Sequence, residues 1–156
     1  MMVDVQTISI AIASASVVAG VIYYSLQISN QTKTRHTDII LKLYSTFSSK
    51  EFQKTWAEVL KREAKDYDDY EKKYGQADAV EIGMFFEGIG VLLRRKIIDI
   101  ELVDDLFTGP IKETWKKMRD ITLEARRLRN QPEVFEWFEY LYNELQKREQ
   151  KLQSKT

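Results

Sequence analysis

Val5 to Ile28 reads VQTISIAIASASVVAGVIYYSLQI, without one charged side chain, in a chain of which 31% is Asp, Glu, Lys or Arg. An α-helix rises about 1.5 Å per residue and a bilayer core is roughly 30 Å thick, so about 20 mostly apolar residues span it. Ile8 to Leu26 meets that length, and the flanks to Val5 and Ile28 leave room for tilt. No proline interrupts the run. Thr7 and the serines at 9, 14, 16 and 25 are compatible with it, because a helical hydroxyl can bond the carbonyl one turn back. Tyr23 and Tyr24 fall near its C-terminal end, where amphipathic rings settle among headgroups, and Lys33 and Arg35 follow within a few residues. Tyr23, Tyr24, Lys33 and Arg35 are therefore the expected membrane-interface residues.

The basic residues also give a direction. Met1 to Asp4 contains no Lys or Arg, whereas Lys33 and Arg35 lie just beyond the span. The positive-inside rule then expects the N-terminus outside and everything after the span in the cytoplasm of a single-pass protein of the cell membrane. A cleaved secretory signal is the competing reading, since Ala13 and Ala15, or Ala15 and Ala19, imitate a cleavage site. Against it, the basic n-region is missing and the apolar run is long for an h-region. A buried helix of a soluble protein fits worse, because a domain of this size can hardly enclose it on all sides. Ala11, Ala15 and Ala19, and Ser16 and Gly20, recur every four residues, a spacing that lets two membrane helices approach closely and that ordinary alanine and serine usage also produces.

Roughly 125 residues remain beyond the span, enough for one domain with one core. All 24 basic residues and all but one of the 24 acidic ones lie there, leaving it one charge positive. That balance gives no electrostatic footprint for general nucleic-acid binding. The chain has no cysteine, which excludes disulfides, a thiol nucleophile and a Cys-based zinc site.

Helical spacing runs through the remainder, with no strand-like alternation and only 6 glycines and 2 prolines. The span is expected to continue into an amphipathic segment carrying His36, Ile39, Ile40, Leu43 and Phe47. Ser48 and Glu51 suggest a capping box opening a helix with Phe52, Trp56, Val59 and Leu60. Asp66 reads as the cap of a short helix bearing Tyr67, Tyr70 and Tyr74, ended by Gly75. A fourth helix is expected from Ala77 to Arg95; its middle, IGMFFEGIGVLL (82–93), is apolar nearly all round, which predicts the central buried helix, with Gly83, Gly88 and Gly90 allowing a neighbour to approach. Asp99 opens a short fifth helix, Gly109 and Pro110 set a turn into a sixth, and Asn130 and Pro132 separate the sixth from a seventh. This last helix shows Val134, Phe138, Leu141, Leu145 and Leu152 at heptad-like spacing.

Candidate chemistry is sparse. His36 is the sole histidine, so a triad or His-based metal site would have to use it; a solvated or packing role suits its place beside Arg35 better. Glu81 and Glu87 interrupt the most apolar helix. Six residues turn it by roughly 600°, which points them about 120° apart. They share no face, and no E-x-x-H accompanies them. A buried carboxylate needs a partner, and the expected one for Glu87 is Arg126, forming a buried salt bridge. Between Lys112 and Arg129 cations outnumber carboxylates, which fits anionic headgroups or an acidic partner, and equally a solvated helix face. Tyr67, Tyr70 and Tyr74, with the aromatics at 135, 137, 138, 140 and 142, are candidate partner surfaces, with core packing the ordinary alternative. There is no glycine-rich phosphate loop, no G-x-S-x-G and no H-E-x-x-H. No arginine precedes His36 at the R-x₄–₆-H spacing of some helical ribonucleases.

The single N-terminal span followed by KLYSTFSSKEFQKTW (42–56), DYDDYEKKYG (66–75), FFEGIGVLLRRKIIDIELV (85–103) and RNQPEVFEWFEYL (129–141) resembles a family of small prokaryotic membrane-anchored proteins known only as a domain of unknown function. The resemblance rests on packing and capping patterns over most of the chain. It implies an all-helical cytoplasmic domain and supplies no catalytic residues.

The sequence therefore predicts an all-α protein: an anchor over 1–30, a cytoplasmic bundle of five to seven helices over 31–147, and a polar tail over 148–156 that frays. The expected partners are the lipid bilayer and a protein of unidentified kind, with a second copy of the chain also open; nucleic acid, a metal and a cofactor are not expected. The expected function is an anchored interaction or scaffolding module. The alternatives are a tethered enzyme or ligand sensor using the Glu81/Glu87 region, or a small subunit of a larger membrane complex.

Overall fold

The computed structural model describes residues 4–154, apart from the side chains of Thr32 and Lys33. Six helices make up the described chain: α1 (Val5–Phe47), α2 (Lys50–Lys61), α3 (Tyr67–Tyr74), α4 (Ala77–Arg94), α5 (Ile100–Arg129) and α6 (Glu136–Gln153). No strand occurs among the described residues. The chain divides into two compact units, Met1–Asp38 and Ile39–Thr156.

In the first unit α1 is a single helix, apolar from Val5 to Ile28. Its most apolar stretch is long enough to cross a membrane, and none of that stretch is buried inside the protein. The serines satisfy themselves as helical hydroxyls do: Ser9, Ser14, Ser16 and Ser25 donate to the carbonyls of Val5, Ile10, Ile12 and Val21 at 2.8–3.0 Å. The helix runs without interruption to Phe47, as the absence of a breaker predicts.

In the second unit α4 packs chiefly against α6, α6 also lies on α5, and α2 and α3 cover the remaining side of α4 and α5. The core is continuous, with Ile82, Phe86, Ile89, Phe107, Trp115 and Phe138 all fully enclosed. Phe47 is an aromatic hub, its ring centroid 5.3–6.5 Å from those of Phe52, Trp56, Phe85, Phe86 and Phe107. Trp56 secures its indole N–H on the Thr114 hydroxyl at 2.7 Å, one hydrogen bond across otherwise apolar packing.

Several elements differ from the sequence reading. Pro110 does not end a helix: α5 passes through it, fusing the expected fifth and sixth helices. A proline inside a helix costs about 3 kcal/mol, but Val103, Phe107, Ile111, Trp115 and Met118 form one buried stripe on both sides of it, and that burial outweighs the missing hydrogen bond. The cap of α2 is Ser49, whose hydroxyl accepts from the Phe52 N–H at 3.2 Å, rather than Ser48. Asp66 and Gly75 bound α3, and Asn130 ends α5 in the left-handed conformation, as expected. Pro132 does not start the last helix, which begins at Glu136 after a turn. The polar tail does not fray at 148, since α6 continues to Gln153. Finally, α4 is not buried all round: Val80 and Met84 are exposed.

Candidate functional site

Glu87 does not form the expected bridge with Arg126. Its carboxylate accepts from the Phe138 N–H at 2.6 Å, at the first turn of α6. The reason lies in the local chain. Phe135 is the N-cap residue of α6, holds a left-handed conformation at φ 55°, and has no side-chain acceptor to offer the free N–H groups. Glu87 supplies that acceptor from α4, and the positive end of α6 favours its charge. Burial is the largest influence on the Glu87 carboxyl and raises its pKa above the usual carboxylate range, against the N–H groups of Phe138 and Trp137 and the more distant charge of Arg126.

Two glycines make this docking possible. A Cβ at Gly83 would run into the Phe135 ring, and one at Gly90 into the Trp137 carbonyl. Gly83, Glu87 and Gly90 thus form one face of α4 that receives the first turn of α6. Gly88 has open space around it and takes no part. Arg126 finds a different partner, pairing with Glu139 at 2.6 Å and donating from Nε to the Val134 carbonyl at 2.8 Å. It fixes the turn before α6 while Glu87 caps the helix itself. Glu81 is exposed on another side of α4.

A cavity of about 320 Å³ opens between α2, α3, α5 and the first turn of α4. Val59, Ala79, Met118, Ala125, Val134 and Phe135 give it apolar walls. Tyr67 and Tyr70, both buried, form its polar side. The start of α3 is held there by Glu124, which accepts the Tyr67 backbone N–H at 2.7 Å, and by the Asp66 cap on Asp69 at 2.8 Å. Arg129 donates to the Tyr67 hydroxyl with its guanidinium 5.2 Å from that ring, and lies 3.7 Å from Glu71. Burial raises the Tyr67 phenol above its usual pKa against the pull of Arg129. Arg62 donates to the Tyr70 hydroxyl at 3.2 Å, pairs with Asp78 and lies 5.1 Å from the Tyr74 ring centroid. Lys117 and Thr122 of α5, Glu63 and Gln76 complete the polar lining.

Neither Glu81 nor Glu87 lines this cavity. Of the tyrosines that the sequence offered as a candidate partner surface, Tyr67 and Tyr70 form one wall and Tyr74 does not line the cavity. The opposite wall could not be read, because Met118, Thr122 and Ala125 look like any apolar stripe of a core helix. Of the expected interface residues, Tyr23, Tyr24 and Arg35 are exposed on α1, and the side chain of Lys33 lies outside the described residues. No group of His, Asp or Glu that could hold a metal ion occurs among the described residues.

The molecule is therefore an all-helical protein with one helix long and apolar enough to cross a membrane and a helical domain enclosing a small apolar cavity. The chain belongs to the family described as a domain of unknown function (DUF4760), whose model matches residues 10–145. No curated protein and no solved structure matches it.

Proposed function

We propose that the protein is a single-pass, membrane-anchored interaction module, held by α1 with the N-terminus outside and residues beyond Arg35 on the cytoplasmic side. The observation that carries this reading is the apolar stretch of α1, which is fully exposed although water is a poor solvent for it. The family match supports retention over cleavage, because it begins at residue 10, inside that stretch. The absence of Lys and Arg from residues 1–32, set against Lys33 and Arg35, supports the orientation.

The non-catalytic reading is supported by how the candidate acid–base residues are used. Glu87 is occupied by the first turn of α6, and Glu81 faces solvent away from the cavity. A sensing role has a specific observation in its favour, the cavity between α2, α3 and α5, which Glu81 and Glu87 do not line. Extraction of membranes at alkaline pH, then co-purification from gently solubilised membranes, tests the proposal. The protein should stay in the pellet at alkaline pH and bring a stoichiometric protein partner when solubilised. Release at alkaline pH would contradict anchoring. A constant set of several membrane subunits would favour the reading as a small subunit of a complex.

A further inference from the structure

Three features of the domain stand apart from the packing described above. Met84 and Gly88 are exposed side by side on α4 with nothing to indicate what covers them, and Val80, one turn earlier, belongs to the cavity lining. The cations of α5 are largely paired or solvated. The cavity beside α3 carries more, because the unused groups of its buried wall, Thr122 and Tyr70, and the unpaired cation Lys117 are all donors.

Thr122 is only 4% exposed, lines the cavity, and makes no hydrogen bond with any described residue. That is unusual in this chain, where Thr46, Thr55 and Thr114 each return the hydroxyl to the carbonyl four residues back. The Tyr70 oxygen accepts from Arg62, and its own proton has no acceptor among the described residues. The ammonium of Lys117 forms no ion pair or hydrogen bond with a described residue, whereas Arg62 and Arg129 are each matched by a carboxylate. Hydroxyl, phenol and ammonium are all left to donate beside apolar walls, whereas Tyr67 already accepts from Arg129 and Gln76 already donates to Glu71. A ligand that satisfies them is an acceptor with a hydrocarbon body. Glu63, the one carboxylate of the lining, is exposed and disfavours an anion only from the rim.

We propose that this cavity binds a small apolar carboxylate, its chain or ring against Val59, Met118, Ala125 and Phe135 and its head group among the donors of the lining, Lys117, Thr122 and Tyr70. A volume of about 320 Å³ is at the low end for ligand pockets, which suits one short chain and not a two-chain lipid. The left-handed backbone of Phe135 is strain at the cavity wall, of the kind that gathers at binding sites. The inference does not depend on the membrane orientation.

Methionine methyl NMR on the full chain in phosphatidylcholine nanodiscs reads the site directly. Met118 lines the cavity, and Met84, 58% exposed and outside it, is an internal control. With octanoate as probe, the Met118 methyl resonance should shift saturably while that of Met84 stays still. Lys117→Gln should weaken octanoate binding by about tenfold or more, the effect of losing a charge-assisted hydrogen bond. Thr122→Val should weaken it severalfold without lowering stability, since the hydroxyl has no partner to lose. Octanol should bind more weakly than octanoate and be indifferent to Lys117→Gln. A shift that never saturates, equal movement at Met84, octanol binding as tightly as octanoate, or unchanged binding in both variants would each overturn the proposal.

Discussion

Glycine at three positions of one helix has three different meanings. Gly90 sits where a methyl group would collide with the backbone of Trp137, and Gly83 where it would meet the Phe135 ring. Gly88 has free space. Gly88→Ala should therefore raise stability by about 0.5–1 kcal/mol, the ordinary helix-propensity gain. Gly90→Ala should lower it by roughly 1–3 kcal/mol or more, because a backbone carbonyl cannot move aside as a flexible side chain can. Urea denaturation of the three proteins reads both signs.

Glu87 and Asp104 titrate in opposite senses. Asp104 accepts from Thr108 and Arg148, and these bonds lower its carboxyl below the usual range despite burial. It stabilises the fold above its unfolded pKa, and that contribution fades as pH falls through its folded pKa. Glu87 is raised by burial, so its contribution is fully present below its unfolded pKa and declines as pH rises through its folded pKa. Glu87→Gln should flatten the decline on the alkaline side of the carboxylate range, and Asp104→Asn the loss on the acid side, in denaturation measured between roughly pH 3 and 7. Glu87→Ala, which removes the acceptor altogether, should cost about 1 kcal/mol.

At the scale of elements, α5 is the least ordinary helix, since it runs straight through Pro110. Pro110→Ala should raise the melting temperature, because the new N–H can reach the Leu106 carbonyl and the ring no longer crowds the preceding turn. A lower melting temperature would mean that the proline is held by contacts of its own. The same position shows what the sequence made legible. Capping residues with a local mechanism, Asp66, Gly75 and Asn130, were readable because their partners lie within four residues. Gly109–Pro110 misled because a local breaker competes with burial supplied by other helices, which no local pattern reports. Glu87 was recognisable as a buried carboxylate needing a partner, and Arg126 was the obvious cation. Its true partner is a backbone N–H in another helix, and every residue carries one, so nothing in the sequence distinguishes it. Tyr67 and Tyr70 stood out only as a candidate partner surface, and the cavity that they line was not legible, because a void is a property of packing rather than of residue type.

For the whole molecule the deciding feature is the uncharged run from Val5 to Ile28. If it spans a bilayer, Val18→Arg places a charge near the centre of the span at a cost of roughly 2.5–3.5 kcal/mol on insertion scales. A large part of that variant should then appear in the soluble fraction. The small-residue spacing from Ala11 to Gly20 leaves a dimer within the membrane open, which analytical ultracentrifugation in detergent would detect by mass. The proposed orientation can be tested without background, because the chain contains no cysteine. Single cysteines at Asp4 and Glu149, probed in intact cells with a membrane-impermeant maleimide, should give labelling at position 4 and none at 149 until the cells are opened. Labelling of position 149 in intact cells would contradict the cytoplasmic placement of the helical domain.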